Sequence, residues 1–376
     1  MISSFSASTP EAFDGALAGS RPTLVLAFGS IRQDVGAYQA AAERAGVRVC
    51  GCSTAGEVVD GRLVDGTVSG LMFDLPRDRF AVWSGMAGDT AAQASELGRA
   101  AVELFADPQI IVLSGGMSVD GEDIVRGVRA GAGRELPVFG GLAADEFELA
   151  ATYSFTERDV NDPGLAAVVF DGAAVRLTCH TTSGWQAIGS TYTITAAEGN
   201  VVREIDGQPA LSFFTRFFGE LQNSAFDIEV ASVVNSQYPL QLQRPAGSVL
   251  RAPLMPGEDD TIVLAGGVQV GDRFRFSIAP GFECVDETVA YFAERQRDQP
   301  APDAVVMISC KGRHAAFGPM LEDEVEQIHS LYGAPMAGFL SYGEIGSVDG
   351  GPSTLHNDTC CMVAIRSVGG DINAAS

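Results

Sequence analysis

Gly51-Cys52-Ser53-Thr54-Ala55-Gly56-Glu57 closes a pair of short apolar strands, and endings of the same kind return twice later in the chain. The two further endings are Gly140-Gly141-Leu142-Ala143-Ala144-Asp145-Glu146 and Gly338-Phe339-Leu340-Ser341-Tyr342-Gly343-Glu344. In all three, a glycine is followed six positions later by a glutamate. The recurrence predicts three related units, in which the three glycines occupy equivalent places and the three glutamates do so too.

Each unit opens with a strand that is apolar throughout. These strands are Thr23–Gly29, Gln109–Gly115 and Ala304–Cys310. Continuous apolar runs of this length are typical of strands that are covered on both faces. The pattern predicts an α/β fold of two domains, with mixed sheets built from repeated βαβ units. Loops that leave the ends of such strands are where α/β proteins place ligands.

In the middle of the chain, polar and apolar residues begin to alternate, which is typical of strands with one exposed face. A hairpin is predicted from Thr191 to Gly207, and a further strand from Ile228 to Val234. Between them, a predicted helix from about Pro209 to Leu221 carries a stripe of phenylalanines, which favours a place in a core. We place the domain boundary in this region, which gives domains 1–220 and 221–376.

Composition limits the classes of partner. The chain has 376 residues, of which 46% are hydrophobic, and a formal net charge of −24, with a pI of about 4.4. Such an acidic chain repels phosphate backbones and anionic lipid, so neither nucleic acid nor a membrane is expected as a partner. No apolar run reaches the roughly 18 residues of a membrane span, and no secretory signal is recognisable, so we expect a cytoplasmic location. The seven cysteines are expected to be buried, reduced thiols.

The order of the short motifs resembles that of the FIST sensory family. The stretches similar to its N-terminal part are Gly51–Glu57, Gly140–Ala143 and Ala197–Leu211. Those similar to its C-terminal part are Ser309–Arg313, Gly338–Ile345 and Leu355–Thr359. The resemblance extends over roughly residues 20 to 365 and implies a FIST N-like domain at 1–220 followed by a FIST C-like domain at 221–376.

The resemblance implies a small-ligand sensor of bacterial signal transduction rather than an enzyme. The ligand implied for the family at large is an amino acid or a similar small metabolite, while one branch senses nitric oxide through haem. No kinase or receiver segment is left over in this chain, so the expected partner is a separate histidine kinase or a cyclic-di-GMP enzyme, either a diguanylate cyclase or a phosphodiesterase. Covalent haem attachment lacks its Cys-x-x-Cys-His motif, so the implied cofactor would be non-covalent haem b.

The candidate ligand-binding residues follow the ends of the predicted strands. They are Ser53, Thr54, Glu57, Lys311, Arg313, Tyr342, Glu344, His356 and Asn357. A pocket in which Glu344 pairs with Arg313 or Lys311 would suit a zwitterionic ligand, because buried charges need partners of opposite sign.

If haem binds, His356 is the first candidate for the iron ligand, because it lies on a loop after a glycine-rich segment. Asn357 or Asp358 would orient its second ring nitrogen. The Cys179-His180 pair and His314 are the alternatives, with His329 last, since it lies in the final turn of a predicted helix.

An enzyme is the competing hypothesis. Cys52 or Ser53 would then act as the nucleophile of a hydrolase-like reaction, with a histidine brought from elsewhere in the chain. The sequence around them lacks the second glycine of a nucleophile elbow, which argues against this alternative.

Overall fold

A computed structural model gives the structure of the chain over a series of described segments. They are residues 1–86, 88–115, 119–146, 148, 150–218, 237–244, 247–281 and 283–368. Three units with the same order of strands form the body of the molecule, and a mainly β segment that contains one helix is inserted into the third unit.

The first and second units each contain six strands and two helices. The first consists of β1 (Ile2–Ala7), α1 (Pro10–Ser20), β2 (Leu24–Ser30), α2 (Val35–Ala45), β3 (Arg48–Thr54), β4 (Glu57–Val59), β5 (Arg62–Val64) and β6 (Val68–Phe73). The second consists of β7 (Phe80–Met86), α3 (Thr90–Leu104), β8 (Pro108–Gly115), α4 (Gly121–Ala132), β9 (Val138–Leu142), β10 (Ser154–Thr156), β11 (Val160–Asn161) and β12 (Gly164–Asp171).

The third unit is interrupted after its first strand, β13 (Val175–Thr182). The interrupting segment, called here the insert, consists of β14 (Gln186–Glu198), β15 (Val201–Ile205), β16 (Gln208–Pro209), α5 (Ala210–Phe218), β17 (Leu240–Arg244), β18 (Gly247–Arg251), β19 (Pro253–Pro256), β20 (Ile262–Leu264) and β21 (Arg273–Ile278). The unit then resumes with α6 (Cys284–Gln296), β22 (Ala304–Cys310), α7 (Lys311–Phe317), α8 (Met320–Tyr332), β23 (Met336–Ser341), β24 (Gly343–Gly346), β25 (Thr354–His356) and β26 (Cys360–Ser367).

The units exchange their hairpins in a cycle. Each of three six-stranded sheets combines four strands of one unit with the hairpin of another, in the orders β1-β6-β2-β3-β10-β11, β7-β12-β8-β9-β24-β25 and β13-β26-β22-β23-β4-β5. The parallel pairs are β2 with β3, β8 with β9 and β22 with β23, and the other pairs in these sheets are antiparallel. The first unit therefore completes the sheet of the third, the third that of the second, and the second that of the first.

The three sheets face one another around a common core. Their inner faces supply one hydrophobic cluster, which takes Leu26 from the first unit, Ile111 from the second and Val306 from the third. The neighbouring residues Val25 and Ile110 point outward and are covered by the helices of their own units. This double burial explains why the opening strands are apolar at every position. The insert has a core of its own, built around the phenylalanines of α5.

The three repeat glycines occupy equivalent places, as the sequence predicts. In the parallel registers, Gly51 lies opposite Ala27, Gly140 opposite Val112 and Gly338 opposite Met307. A Cβ atom at these glycines would lie 2.6, 1.7 and 1.9 Å from the carbonyl oxygens of those three residues, respectively. The close approach of two backbones is therefore why each unit has a glycine at this place.

The prediction for the glutamates is correct for two units and wrong for the third. Glu57 and Glu344 each lie opposite the residue that follows the repeat glycine of the receiving sheet. In the second unit that place belongs to Ser154, opposite Cys52. Glu146 is displaced because residues 143–153 separate β9 from β10, where the other units have a connection of one or two residues.

The α/β class, the mixed sheets and the repeated units are confirmed. The side chains of Asp89 and Asp120 cap the first turns of α3 and α4, and Gly333 ends α8 in the left-handed conformation. The predicted boundary at residue 220 and the predicted strand from Ile228 to Val234 lie outside the described residues. No helix of the described segments is long and apolar enough to span a membrane.

Replacing Gly338 with alanine should destabilise the protein by about 3 kcal/mol or more, because its Cβ atom would overlap the backbone oxygen of Met307. Urea unfolding at neutral pH measures the change. Gly15→Ala is the matched control, since Gly15 lies inside α1 with open space around it, and it should raise stability by about 0.5–1 kcal/mol. A Gly338→Ala variant as stable as the parent would contradict the account of the repeat glycines.

Candidate functional site

Three backbone hydrogen bonds join the units in a ring at the carboxyl ends of the parallel strands. Each runs from the amide four residues after one repeat glycine to the carbonyl two residues after another: Ala55 to Leu340 (3.0 Å), Tyr342 to Leu142 (3.2 Å) and Ala144 to Ser53 (3.0 Å). We call this ring the junction. It brings the three repeated motifs together at one end of the molecule.

A half-buried lysine lies on the junction. Lys311 begins α7 directly after β22, and its Nζ donates to the carbonyl oxygen of Ala55 at 3.2 Å. The same Nζ lies 3.0 Å from Nδ1 of His314, one turn along α7. Burial, followed by the charge of Lys311, lowers the pKa of His314 to about 4. At neutral pH the imidazole is therefore uncharged and available as a hydrogen-bond acceptor for the ammonium group.

The second polar pair of the junction comes from the other two motif ends. The half-buried Tyr342 donates its hydroxyl proton to Oδ1 of Asp145 at 2.5 Å. Oδ2 of the buried Asp145 accepts the amides of Ala150 and Ala151 at 2.7 and 3.2 Å. We call Lys311, His314, Tyr342 and Asp145 the junction cluster.

The sequence names two members of this cluster as ligand-binding residues and misses the other two in that role. Lys311 and Tyr342 are among the predicted residues, whereas His314 is considered only as an iron ligand. Asp145 lies inside the second repeat motif, directly before the glutamate on which the sequence argument concentrates. No local pattern marks Asp145, because its place at the junction depends on how the hairpins are exchanged between units.

Glu344 and Glu57 are buried carboxyl groups with matching surroundings. Oε1 of Glu344 is hydrogen-bonded to the hydroxyl of Ser341, three residues earlier, and Oε2 accepts the hydroxyl of Thr359 at 2.7 Å. Glu57 makes the corresponding contacts with Thr54 and Thr67. Each carboxyl group thus ties an exchanged hairpin to the residue that precedes the last strand of its own unit.

Burial changes the ionisation of both carboxyl groups. Desolvation raises the pKa of Glu344 to about 8 and that of Glu57 to about 7, although the hydroxyl and amide donors around them act in the opposite direction. The single hydroxyl proton of Ser341 also has the carbonyl oxygen of Ser309 within 3.5 Å. A protonated Glu344 satisfies both contacts, since it donates to Ser341 while Ser341 donates to Ser309. We infer that Glu344 is uncharged at neutral pH and that its hydrogen bonds to Ser341 and Thr359 hold its hairpin in place.

Arg313 does not pair with Glu344 as the sequence predicts, because its guanidinium is engaged elsewhere. Arg313 is fully buried and donates to Oε2 of Glu324 and to the carbonyl oxygen of Ser183. The guanidinium also lies over the ring of Phe317. Arg313 therefore joins α7 to α8 and to the end of β13, where its charge is compensated inside the protein.

His356 and Asn357 lie where the insert meets the second sheet. His356 is only 2% exposed, and its Nε2 lies 2.9 Å from the hydroxyl of Thr354. Burial, followed by the charge of Arg251, lowers its pKa to about 3. Asn357 donates to the carbonyl oxygen of Ala265 in the insert at 3.4 Å. Both residues therefore serve an internal interface in this structure.

Two arginines fasten the insert to α4. The fully buried Arg251 pairs with Glu122 and donates to the carbonyl oxygen of Leu355 at 3.1 Å. Arg244 pairs with the same carboxylate at 2.7 Å and with Asp272 at 3.2 Å. A buried cation needs such partners, so Glu122 fixes the position of the insert on the body of the molecule.

The surroundings of His356 do not fit an iron ligand. Haem requires an imidazole nitrogen that faces an apolar slot, whereas Nε2 of His356 is engaged by Thr354 and the cation of Arg251 is close by. Among the other histidines, His314 is engaged by Lys311, and His329 lies 3.9 Å from a carboxylate oxygen of Asp60. The described segments contain no group of three or more histidine, cysteine, aspartate or glutamate residues that could hold a metal ion.

The two nucleophiles of the enzyme hypothesis are inaccessible. Cys52 and Ser53 are fully buried, and desolvation raises the pKa of the Cys52 thiol well above its ordinary value. The hydroxyl of Ser53 accepts the amide of Tyr153 at 3.1 Å. Ser53 and Thr54 thus support the junction and the Glu57 carboxyl group from inside.

Comparison with known proteins matches two family models in succession. Residues 23–208 match the model of the FIST N domain, and residues 210–347 match that of the FIST C domain. The chain is 27% identical over 239 residues to the uncharacterized protein Rv0628c of Mycobacterium tuberculosis, with 60% of each chain covered. It is 25% identical over 236 residues to the uncharacterized protein Mb0898c of Mycobacterium bovis, covering 60% of this chain and 59% of that one. The chain therefore spans about three fifths of the length of these relatives.

Replacing Glu344 with glutamine should make the stability of the protein depend less on pH. A carboxyl group whose folded pKa is raised contributes stability that is fully present below its ordinary value of 4.5 and is lost as the pH rises through about 8. Each unit of pKa difference corresponds to about 1.4 kcal/mol, so the parent protein should lose a few kcal/mol over this interval. Glutamine keeps the uncharged shape, and the variant should lose less.

Urea midpoints between pH 5 and pH 9 provide the measurement. The exposed Glu198, which pairs with Arg203 at the surface, provides the control, and Glu198→Gln should change stability by less than about 0.5 kcal/mol at every pH. Equal slopes for the parent and Glu344→Gln would show that Glu344 is ionised in the folded protein.

Proposed function

Because the chain belongs to the FIST family, whose domains are signalling sensors, we propose that it binds a small polar metabolite at the junction cluster and controls a separate signalling enzyme. The metabolite is an amino acid or a molecule of similar size and polarity. The controlled enzyme is a histidine kinase or an enzyme that makes or degrades cyclic-di-GMP.

The observation that carries the proposal is the placement of opposite charges at the carboxyl ends of the parallel strands. Lys311 supplies an ammonium group and Asp145 a carboxylate, with the hydroxyl of Tyr342 bonded to that carboxylate. Lys311 and Tyr342 are half-buried, so both lie within reach of a ligand while being partly shielded from water. Charged hydrogen bonds are stronger in such surroundings than at an open surface.

The junction also gives the ligand a means of acting on the fold. Tyr342, of the third unit, contacts the second unit twice, through its backbone amide and through its hydroxyl, which bonds to Asp145. Lys311, also of the third unit, contacts the carbonyl oxygen of Ala55 in the first unit. A ligand that displaces either contact therefore changes how the three units are held together. Such a differential contact is what a sensor needs in order to shift between two states.

Isothermal titration with each of the common amino acids tests the binding part of the proposal. Lys311→Met should weaken binding of a responsive amino acid by about tenfold to a hundredfold, because a hydrogen bond to a charged group contributes about 1.5–3 kcal/mol. Arg203→Met removes a cation that pairs with Glu198 on the insert, and it should leave affinity unchanged. Equal losses in both variants, or none in either, would contradict a site at the junction cluster.

The signalling part is tested with a partner enzyme purified from the same source. A ligand that binds with the predicted Lys311 dependence should change autophosphorylation of a kinase, or cyclic-di-GMP turnover, only when this protein is present. Unchanged partner activity at saturating ligand would contradict the proposed output.

A further inference from the structure

We propose that Lys311 captures a small aldehyde or ketone at the junction by forming an imine. This inference rests on the proposed function and narrows its ligand from polar metabolites in general to those with a reactive carbonyl group, such as a 2-oxo acid. The amine of Lys311, the imidazole of His314 and their placement at the junction carry the inference.

Lys311 is the single lysine of the chain, and apart from four histidines all other basic side chains are arginines. An arginine at residue 311 would supply the same positive charge and more hydrogen bonds, but a guanidinium stays protonated and is not a nucleophile. A lysine amine can lose its proton and attack a carbonyl carbon. The residue type at this position therefore permits a chemistry that the other basic side chains do not.

The contacts of Lys311 fit this chemistry. His314 Nδ1 lies 3.0 Å from Nζ, which is the distance at which a proton can pass between them. The pKa of His314 lies well below neutrality, mainly through burial and then through the neighbouring ammonium charge. Removal of that charge therefore makes the imidazole more basic. The carbonyl oxygen of Ala55 accepts a hydrogen bond from the same Nζ at 3.2 Å.

The amine contacts Ala55, a residue of a buried apolar cluster, and such surroundings favour condensation. Ala55, Ala144 and Phe317 belong to one buried cluster, against which Tyr342 packs. Imine formation releases water, so surroundings that limit water shift the balance towards the imine.

The reaction balances without an oxidant or a reductant. The ammonium group of Lys311 gives one proton to His314, and the free amine attacks the carbonyl carbon, forming a carbon–nitrogen bond. A second proton moves from nitrogen to oxygen, which gives a carbinolamine. His314 then returns its proton to the hydroxyl group, water leaves, and the nitrogen lone pair forms the double bond of a protonated imine.

Reductive trapping tests the inference with glyoxylate as the probe. The intact protein is incubated with glyoxylate and cyanoborohydride, and peptides are analysed by mass spectrometry. Lys311 competes with one other amine of the chain, the α-amino group of the exposed Met1. Labelling of Lys311 should be at least about tenfold faster in the folded protein than in urea, because a positioned proton acceptor contributes about a hundredfold or more. Labelling of Met1 should change little.

Two variants distinguish the role of the amine of Lys311 from that of its positive charge and from that of its proton acceptor, His314. Lys311→Arg should keep affinity for amino acids within a few-fold and lose the label at residue 311. His314→Gln should slow labelling of Lys311 by about tenfold or more while leaving the fold and Met1 labelling unchanged.

Labelling of Lys311 no faster in the folded protein than in urea would overturn the inference. If amino acids bind in a way that depends on Lys311 but Lys311 is not labelled faster in the folded protein, the imine inference is overturned and the proposed function stands. Fast labelling of Lys311 without any effect on a partner enzyme would support imine capture and count against the proposed signalling output.

Discussion

The cyclic exchange of hairpins is the constraint on which the rest of the structure depends. Each unit supplies four strands of a sheet and leaves the edge beside its second parallel strand to be completed by the hairpin of another unit. An unpaired edge exposes a row of backbone donors and acceptors, so no unit has a satisfied sheet by itself. The inner faces of all three sheets also bury one common cluster. The three units must therefore become ordered together, and their motif ends necessarily meet at the junction.

The backbone of the junction is repeated, whereas its side chains are not. Ala55, Ala144 and Tyr342 donate the three equivalent amides, and only the last of them carries a polar side chain. Lys311 begins a helix in the third unit, where the equivalent residue after the first opening strand is Ile31. Repetition thus provides the frame of the junction, and the departures from it provide its polar side chains. In the proposed function, a ligand at the junction acts by shifting how the three units fit together.

The sequence predicts the parts that depend on neighbouring residues and misses those that depend on distant ones. The apolar opening strands and the place of Gly338 follow from local patterns and are confirmed. The destination of each hairpin could not be predicted, because strands of two to four residues carry too little pattern to identify a partner in another unit. The same limit applies to His356, which the sequence predicts to lie on an accessible loop: it ends β25 and is buried where the second sheet meets the insert.

Amide hydrogen exchange under native conditions tests the central claim most directly. If the three units hold one another, the amides of Ala55, Ala144 and Tyr342 exchange only through global unfolding and share its free energy. Their exchange should then respond to urea with the same slope as unfolding of the whole body. Exchange of any one of them through a local opening, at a free energy more than about 2 kcal/mol below that of global unfolding, would contradict the account.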